Sequence, residues 1–270
     1  MILVFDVGNT ETTAGLFEGA ELRAQWRITT GISRTPDEFG LVLRALVSSA
    51  NVDYRVVTGA AIASVVPPVT APLLDACTRY FGVRPVNIDG RSELPIRLAV
   101  DEPLSVGADR IINTLAASRL YESDAIVVDL GTATTYDCIT RDGVFLGGVI
   151  QPGVQTSAET LFRRTSKLPA TELVPPERVI GTRTEECIRA GVFFGAVESI
   201  DGIVRRIKGE WPTGAVPRVI ATGGLASLLA PHCRTIDLVD GSLTLQGLRI
   251  AHQLLSGAAP ARGVAVNVSP

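Results

Sequence analysis

Lysine, histidine and aromatic residues are scarce in this 270-residue chain, and each shortage excludes a class of site. Only two lysines occur, Lys167 and Lys208, and neither belongs to a Walker-type phosphate-binding loop. The two histidines, His232 and His252, stand outside every cluster of glycine, aspartate and threonine, which disfavours a Ser-His-Asp hydrolase. Eight Phe, four Tyr and two Trp residues are too few for an aromatic surface that stacks on single-stranded nucleic acid.

Paired cysteines, excess charge and long apolar runs are also missing. The four cysteines lie far apart without a C-x-x-C pair, which argues against a zinc cage or a disulfide scaffold and indicates a reducing compartment. The net charge of −3 makes a general electrostatic attraction to nucleic acid or to an anionic membrane improbable. No apolar run approaches the roughly 18 residues that span a bilayer, and no basic region follows Met1. We therefore expect a cytoplasmic protein without nucleic-acid or membrane partners.

The residues that are abundant predict an α/β protein. Hydrophobic residues make up 46% of the chain, enough for the core of one large or two medium domains. Because aromatics are few, this core must consist mainly of Val, Ile, Leu and Ala, as in buried sheets flanked by helices.

A three-stranded meander occurs twice in the chain. Residues 2–28 contain an apolar strand that ends at Asp6, a Gly-Asn-Thr turn and two further strands, and residues 125–150 repeat the arrangement. A shift of 123 residues superposes three pairs of residues: Asp6 on Asp129, Gly8 on Gly131, and Thr12 on Thr135. The repeat favours duplication of one domain over two unrelated hairpins.

Alternating helices and strands surround the two meanders, which is typical of a sheet with crossover helices. A capping box at Thr35 and Glu38 predicts a helix that runs to about Ala50. Further elements are expected as a strand at 57–66, a helix at 70–81, a strand at 86–88, a helix at 106–121, a long helix capped by Thr184 and running to about 207, a strand at 218–222, and helices at 225–230 and 243–255. Residues 256–270 lack apolar periodicity and are expected to form a flexible tail.

The strand-end aspartates suggest phosphate chemistry without lysine. A glycine turn lets backbone N–H groups approach a phosphate, and Asp6 would sit where a phosphate-bound Mg²⁺ needs a carboxylate, directly or through water. One such turn alone is a weak signal, because hairpins commonly use Asp, Gly and Asn. The second copy at Asp129, followed by Thr132, Thr134 and Thr135, predicts two facing turns with a cleft between them.

Three other glycine-containing segments each permit two interpretations. Residues 222–224 either let a flat ligand such as adenine pass closely or form a plain loop, and residues 147–153 are either functional or a bend between strand and helix. Asp109 either complements a helix dipole or accepts the proton of an attacking hydroxyl, with Arg110 binding a substrate carboxylate.

The segments 6–10, 107–110, 129–135, 147–153, 181–184 and 222–224 together resemble the acetate kinase, sugar kinase, Hsp70 and actin superfamily, and within it the type III pantothenate kinase family. The resemblance covers about residues 1–255. It implies two ribonuclease-H-like domains, 1–119 and 120–255, with ATP bound between them. It also implies transfer of the γ-phosphoryl group of ATP to pantothenate, the first step of coenzyme A biosynthesis, by a homodimer.

The resemblance also implies roles for single residues. ATP binding is implied for Asp6, Val7, Gly8, Asn9, Thr10, Glu11, Thr12, Thr13 and Thr132. Pantothenate binding is implied for Val100, Gly107, Ala108, Asp109, Arg110 and Thr184, with Asp109 as the catalytic base. Asp129 is implied to bind a monovalent cation, K⁺ or NH₄⁺, in addition to the Mg²⁺ expected at Asp6.

Two residues depart from the family pattern. Glu11 places a negative charge where the family usually has a small or amide residue, and we do not expect it to be a ligand. Val100 stands where many members carry a substrate-contacting tyrosine. Two alternatives therefore stay open: a related kinase of another small hydroxyl substrate such as a sugar, and a catalytically silent nucleotide-binding regulator of the same fold.

Overall fold

The computed structural model describes residues 1–257, which form two compact units. The first unit contains residues 1–96, residues 101–116 and the described residues from 244 onward, and the second contains residues 97–100 and 117–243. The domains expected from the sequence, 1–119 and 120–255, differ from these units in three ways. The first break lies three residues earlier, residues 97–100 belong to the second unit, and the described residues from 244 onward belong to the first. Most of the expected tail, 256–270, lies outside the described residues.

The strands and helices follow one another in a mixed α/β order. The strands are β1 Ile2–Val7, β2 Glu11–Glu18, β3 Glu21–Thr29, β4 Gly59–Ser64, β5 Val86–Ile88, β6 Arg97–Leu98, β7 Ala125–Leu130, β8 Ala133–Ile139, β9 Val144–Pro152, β10 Arg218–Thr222 and β11 Leu238–Val239. The helices are α1 Pro36–Ser49, α2 Pro67–Phe81, α3 Ala108–Tyr121, α4 Val154–Arg164, α5 Thr184–Gly209, α6 Ala226–Leu229 and α7 Leu243–Leu255.

Both units contain a sheet with the same topology. In the first sheet the strand order is β3-β2-β1-β4-β5, with β1 antiparallel to β2 and parallel to β4. In the second sheet the order is β9-β8-β7-β10-β11, with β6 added beside β9. The central strand β7 is likewise antiparallel to β8 and parallel to β10. The α/β class and the internal duplication predicted from the sequence are thereby confirmed.

The two copies differ in the length of their first turn. Three residues separate β1 from β2, whereas two residues separate β7 from β8. Asp6 therefore pairs with Thr13, but Asp129 pairs with Thr135. The expected superposition of Thr12 on Thr135 is wrong by one residue, because the second turn is shorter.

Helix starts follow local chemistry, but α2, α3 and the cap of α5 depart from expectation. Helix α3 begins at Ala108 rather than at residue 106. The capping box of α1 is present: the Thr35 hydroxyl accepts a hydrogen bond from the Glu38 N–H, and the Glu38 carboxylate accepts one from the Thr35 N–H. Helix α2 begins at Pro67 rather than at Thr70, because proline needs no N–H partner in the first turn of a helix. Thr184 is the first residue of α5 and not its cap, which is Arg183.

Small and aliphatic side chains fill the cores of both units, as the composition predicted. In the first unit, β1 and β4 are almost fully buried and pack under Phe39 and Leu73 from the flanking helices. In the second unit, Val128, Val219 and Phe193 belong to the equivalent cluster. None of the helices formed by the described residues is long and apolar enough to cross a membrane.

Candidate active site

The first turn lies at the end of the central strand of the first unit. Asp6 is only partly buried, although Val4, Phe5 and Val7 around it are fully buried. The Gly8 N–H donates to the Glu11 carbonyl oxygen at 3.0 Å and closes the turn. Asn9, Thr10 and Glu11 are exposed. Their amide, hydroxyl and backbone groups can therefore contact an anionic ligand.

A buried hydroxyl pair supports this turn from below. The hydroxyl oxygens of Thr12 and Thr30 lie 2.9 Å apart, and both side chains are at least 95% buried. The Thr30 N–H also donates to the Thr10 carbonyl oxygen at 3.0 Å. The Thr12 hydroxyl thus stabilises the turn from within the core. Sequence reasoning missed Thr30, which stands eighteen residues from its partner Thr12.

Glu11 has a basic neighbour on the next strand. Its carboxylate lies 3.9 Å from the Arg27 Nε atom, and both side chains are more than half exposed. Such an exposed ion pair contributes little to stability, about 0–1 kcal/mol. Arg27 therefore offsets part of the negative charge at the turn without burying it.

The start of α3 lies at the same edge of the first unit as the turn. The Val65 N–H, just after β4, donates to the Val7 carbonyl oxygen at 3.1 Å. A Cβ atom added at Gly107 would lie 3.5 Å from the Val65 side chain and would overlap the Asp109 carboxylate. This carboxylate also accepts a hydrogen bond from the Arg110 N–H at 2.9 Å. The structure therefore brings Asp109 and the Asp6 turn to one end of the first sheet.

The second turn repeats this arrangement at the end of β7. Asp129 is again partly buried in a strand whose other residues are buried. The Gly131 N–H donates to the Ala133 carbonyl oxygen at 3.0 Å, as Gly8 does in the first turn. Thr132 is exposed, whereas the Thr134 side chain is fully buried.

Two glycines of the second unit pack directly against this turn. Gly223 has a φ of +89°, and a Cβ atom there would overlap the Asp129 carboxylate and lie 2.7 Å from the Leu130 nitrogen. A Cβ atom at Gly153 would overlap the Thr132 carbonyl oxygen and lie 2.5 Å from that of Gly131. Both positions therefore require glycine, and the segments 147–153 and 222–224 converge on the Asp129 turn.

Two predicted site residues of the second unit, Val100 and Thr184, lie outside the Asp129 turn. Val100 follows β6, and its side chain would lie 3.7 Å from a Cβ atom added at Gly147 on β9. Thr184 is exposed at the first residue of α5. The structure thus places Val100 beside the glycine segment and Thr184 at a helix start.

A carboxylate that sequence reasoning missed fixes the loop before α5. Glu186 accepts hydrogen bonds from the N–H and hydroxyl of Thr182 and from Arg178. These bonds, first of all that from the Thr182 N–H, lower the pKa of Glu186 to about 2. The loop is therefore tied to the first turn of α5, next to Thr184. The four-residue spacing of Thr182 and Glu186 was the signal in the sequence from which this contact could have been predicted.

A cavity of about 640 Å³ lies between α4 and α5 in the second unit. Apolar residues line most of it, together with Gln151, Thr160 and Ser199. The Ser199 hydroxyl donates to the Gln151 side chain, which in turn donates to the Tyr136 hydroxyl. This chain of hydrogen bonds links α5 to β8 and β9 and was not foreseen from the sequence.

The donor set at the strand ends fits a metal ion that is shared with a ligand. No group of three or more His, Cys, Asp or Glu side chains within residues 1–257 is arranged to hold a metal. Asp6 and Asp129 are single, partly accessible carboxylates, each at the end of a buried strand. Mg²⁺ typically binds one or two carboxylates plus phosphate oxygens and water, so a single carboxylate such as Asp6 fits Mg²⁺ delivered with a nucleotide.

Comparison with known proteins shows the family of this chain. A sequence profile described as type III pantothenate kinase matches residues 2–206. The chain is 44% identical to the type III pantothenate kinase of Moorella thermoacetica over 94% of this chain and 99% of that protein. It is 46% identical to the enzyme of the same description from Desulforapulum autotrophicum, over 93% and 95% of the two chains.

A solved structure supports the fold alone. The activator of the 2-hydroxyisocaproyl-CoA dehydratase from Clostridium difficile, determined with bound ADPNP, superposes with a TM-score of 0.54 at 12% identity. The alignment covers 98% of this chain and 99% of that protein.

Proposed function

Since the chain belongs to the type III pantothenate kinase family and is a kinase that phosphorylates pantothenate with ATP in coenzyme A biosynthesis, we propose which of its residues perform the transfer. The repeated turn carries the proposal. In each unit a partly accessible aspartate is the second-last residue of a buried central strand, and the glycine two residues later closes the turn through its N–H. Backbone N–H groups at such a turn can bind phosphate, and the carboxylate can bind a cation, so the arrangement suits both tasks without a lysine.

The first turn is the phosphate-binding turn in this proposal. The exposed residues Asn9 and Thr10 supply amide, hydroxyl and backbone donors to the phosphate oxygens of ATP. Asp6 would hold Mg²⁺, directly or through water, and bound Mg²⁺ neutralises charge on the phosphates. Val7, Gly8, Glu11, Thr12 and Thr13 shape this segment, and we do not assign Glu11 a ligand role. Thr132 is a further proposed contact to ATP.

Asp109 is the proposed catalytic base. The primary hydroxyl oxygen of pantothenate attacks the γ-phosphorus of ATP, the bond from that phosphorus to the β,γ-bridging oxygen breaks, and ADP leaves. The hydroxyl proton passes to the Asp109 carboxylate, which the Arg110 N–H already orients. A loose transition state needs alignment more than a strong base, so a carboxylate suffices.

Five further residues are the proposed pantothenate contacts. Gly107 and Ala108 precede it, and the guanidinium of Arg110 is suited to bind the carboxylate of pantothenate. Val100 and Thr184 complete the set. Because valine lacks a hydroxyl, Val100 offers pantothenate an apolar contact where many relatives have tyrosine. Because of this valine, phosphorylation of a sugar is the competing function.

Asp129 is the proposed ligand of an activating monovalent cation, K⁺ or NH₄⁺. Its carboxylate is held between the turn and Gly223, with which it is in close contact. A carboxylate fixed in this way is suited to a weakly hydrated cation that needs preformed ligands.

We further propose a cytoplasmic homodimer. None of the four cysteines forms a disulfide, as expected of thiols in a reducing compartment. Four large apolar side chains of the second unit are exposed in α4 and in the loop before α5, and they suit contact with a second copy: Leu161, Phe162, Val179 and Ile180. Light scattering coupled to size exclusion should give twice the chain mass of 28.5 kDa. A monomer at micromolar concentration would contradict this part of the proposal.

Release of ADP that depends on pantothenate tests the function itself. The wild-type protein with saturating ATP, Mg²⁺ and K⁺ should release ADP with pantothenate and stay near background with a panel of sugars. Turnover of a sugar instead would favour the sugar kinase. Nucleotide binding without turnover of any acceptor would favour the silent regulator.

A further inference from the structure

The segment 147–153 has no part in the mechanism proposed above. It forms the end of β9 and leads through Gly153 into α4. The sequence left open whether this segment is functional or only a bend. Its contacts in the second unit provide the answer.

Residues at the start of α4 converge on one carbonyl group of the second turn. The Thr132 carbonyl oxygen accepts a hydrogen bond from the Gly153 N–H at 3.1 Å and a second one from the Thr156 hydroxyl at 2.8 Å. A carbonyl oxygen has two lone pairs, so these two donors satisfy it completely. The turn is thereby attached to α4 by both a backbone and a side-chain donor.

The close approach of α4 to the turn depends on Gly153. Any Cβ atom there would overlap the Thr132 carbonyl oxygen and lie 2.5 Å from the Gly131 carbonyl oxygen. The missing side chain lets the helix start come near enough for the Thr156 hydroxyl, which is one turn further along, to reach the same carbonyl. Gly153 and Thr156 thus act together to attach the start of α4 to the turn.

The two hydrogen bonds constrain Thr132, the residue with a proposed contact to ATP. The turn between β7 and β8 has only two residues, Gly131 and Thr132, and the Thr132 side chain is exposed. The peptide unit is planar, so the orientation of the Thr132 carbonyl group restricts the backbone on both sides of it. Fixing that carbonyl therefore restricts where the Thr132 side chain points.

We propose that Thr156 is a positioning residue for ATP, acting through the Thr132 carbonyl. This inference rests on the proposed role of Thr132 as an ATP contact. Without the Thr156 hydroxyl, the Thr132 carbonyl oxygen would keep only the hydrogen bond from Gly153, and the turn would sample more orientations. Nucleotide binding should weaken, whereas pantothenate binding and the chemical step should not change.

Steady-state kinetics of Thr156→Val and Thr156→Ala test the proposal. Both changes remove the hydroxyl, and alanine also keeps the highest helix propensity, so it serves if the valine variant does not fold. We expect the KM for ATP, and the Kd for ADP measured calorimetrically without pantothenate, to rise about threefold to tenfold. The kcat and the KM for pantothenate should stay within twofold of wild type. Thr156→Ser keeps the hydroxyl and should restore the KM for ATP.

Thr160→Ala is the matched control. Thr160 lies one turn further along α4, and its hydroxyl donates to the Thr156 carbonyl oxygen at 2.8 Å, a bond within the helix. It should leave the KM for ATP within twofold of wild type. An equal effect of both alanine variants would assign the loss to α4 as a whole and overturn the proposal, as would failure of both Thr156 variants to fold.

The failure of this inference is distinguishable from failure of the proposed function. An unchanged KM for ATP in folded Thr156→Ala, with active wild-type enzyme, refutes only the positioning role. A wild-type protein that binds ADP but does not turn over pantothenate refutes the proposed function, and the ADP titration of the Thr156 variants still decides the positioning role. If the wild-type protein binds no ADP, both are refuted.

Discussion

The two turns that follow Asp6 and Asp129 share an origin but differ in how they are supported. In both, a glycine N–H closes the turn on the carbonyl oxygen of the first residue of the next strand, at 3.0 Å. The first turn has three residues and the second has two. The duplicated sheet therefore preserves the strand-end aspartate and the closing hydrogen bond, whereas the turn itself has changed.

The difference in packing is larger than the difference in length. Around the first turn, Asn9, Thr10 and Glu11 are exposed, and support comes from the buried Thr12 and Thr30 beneath. The second turn is held by two segments whose glycines cannot carry a side chain. An open turn can adapt to a flexible phosphate chain, whereas an enclosed carboxylate suits an ion that needs fixed ligands. The different support of the two turns matches the two different roles that we propose for them.

The largest expected effect concerns Asp109, which lies at the same end of the first sheet as the open Asp6 turn. Asp109→Asn should lower kcat by about 10² to 10⁴ and leave the KM for ATP nearly unchanged, because only the proton acceptor is lost. Asp101→Asn, an exposed carboxylate change in the preceding loop, is the control and should keep wild-type kcat. Retention of kcat within a factor of two in Asp109→Asn would leave Asp109 with a helix-terminus role only.

A second pair of variants tests the enclosure of the second turn. Gly223→Ala should lower the free energy of unfolding by about 2–4 kcal/mol, because alanine is strained at this positive φ and its Cβ atom overlaps the Asp129 carboxylate. Gly8→Ala should cost less than about 1 kcal/mol, since its nearest neighbour is the Glu11 carbonyl oxygen at 3.1 Å in an exposed turn. Urea unfolding measures both. Equal losses would remove the contrast between open and enclosed turns.

The buried threonines beneath the turns provide a third contrast. Thr12→Val should lower the free energy of unfolding by about 1–2 kcal/mol, because it leaves the Thr30 hydroxyl buried without its partner. Thr134→Val should be neutral or slightly stabilising, because the buried Thr134 hydroxyl has no hydrogen-bond partner among the described residues. The same urea experiment applies. If Thr134→Val lowered the free energy of unfolding more than Thr12→Val, the second turn rather than the first would depend on its buried threonine, contrary to this account.

The smallest expected effect concerns the charge at the open turn. Glu11→Gln should lower the KM for ATP about twofold at low ionic strength, because a negative charge beside the phosphates is removed. The difference should disappear near 0.5 M salt, where exposed charges are screened within roughly 4–5 Å. Glu18→Gln, at the other end of β2, is the matched control. A rise in the KM for ATP would instead make Glu11 a participant in nucleotide or metal binding.

Much of this architecture is readable from local patterns. The apolar strands, their strand-end aspartates and the glycine turns appear in the sequence as alternation and turn residues, and the structure places them as predicted. The capping box of α1 is equally local. The predictions of these features are correct because each feature depends on residues within about four positions of one another.

The features that the sequence did not reveal depend on distant contacts. The shorter second turn escaped notice because threonines occupy both 134 and 135, so either register fits. Helix α7 belongs to the first unit because it packs on α3, where Gly247 leaves room for the Ile112 carbonyl oxygen. The partnership of Thr156 with Thr132 spans 24 residues and follows no periodic pattern.

A K⁺ titration of pantothenate-dependent ADP release tests the division of roles most directly. Asp129→Asn should lose the response to K⁺, whereas Asp6→Asn should keep the K⁺ midpoint of the wild type and require more Mg²⁺. The wild-type protein titrated with Na⁺ controls for ionic strength. An unchanged K⁺ titration in Asp129→Asn would contradict the account.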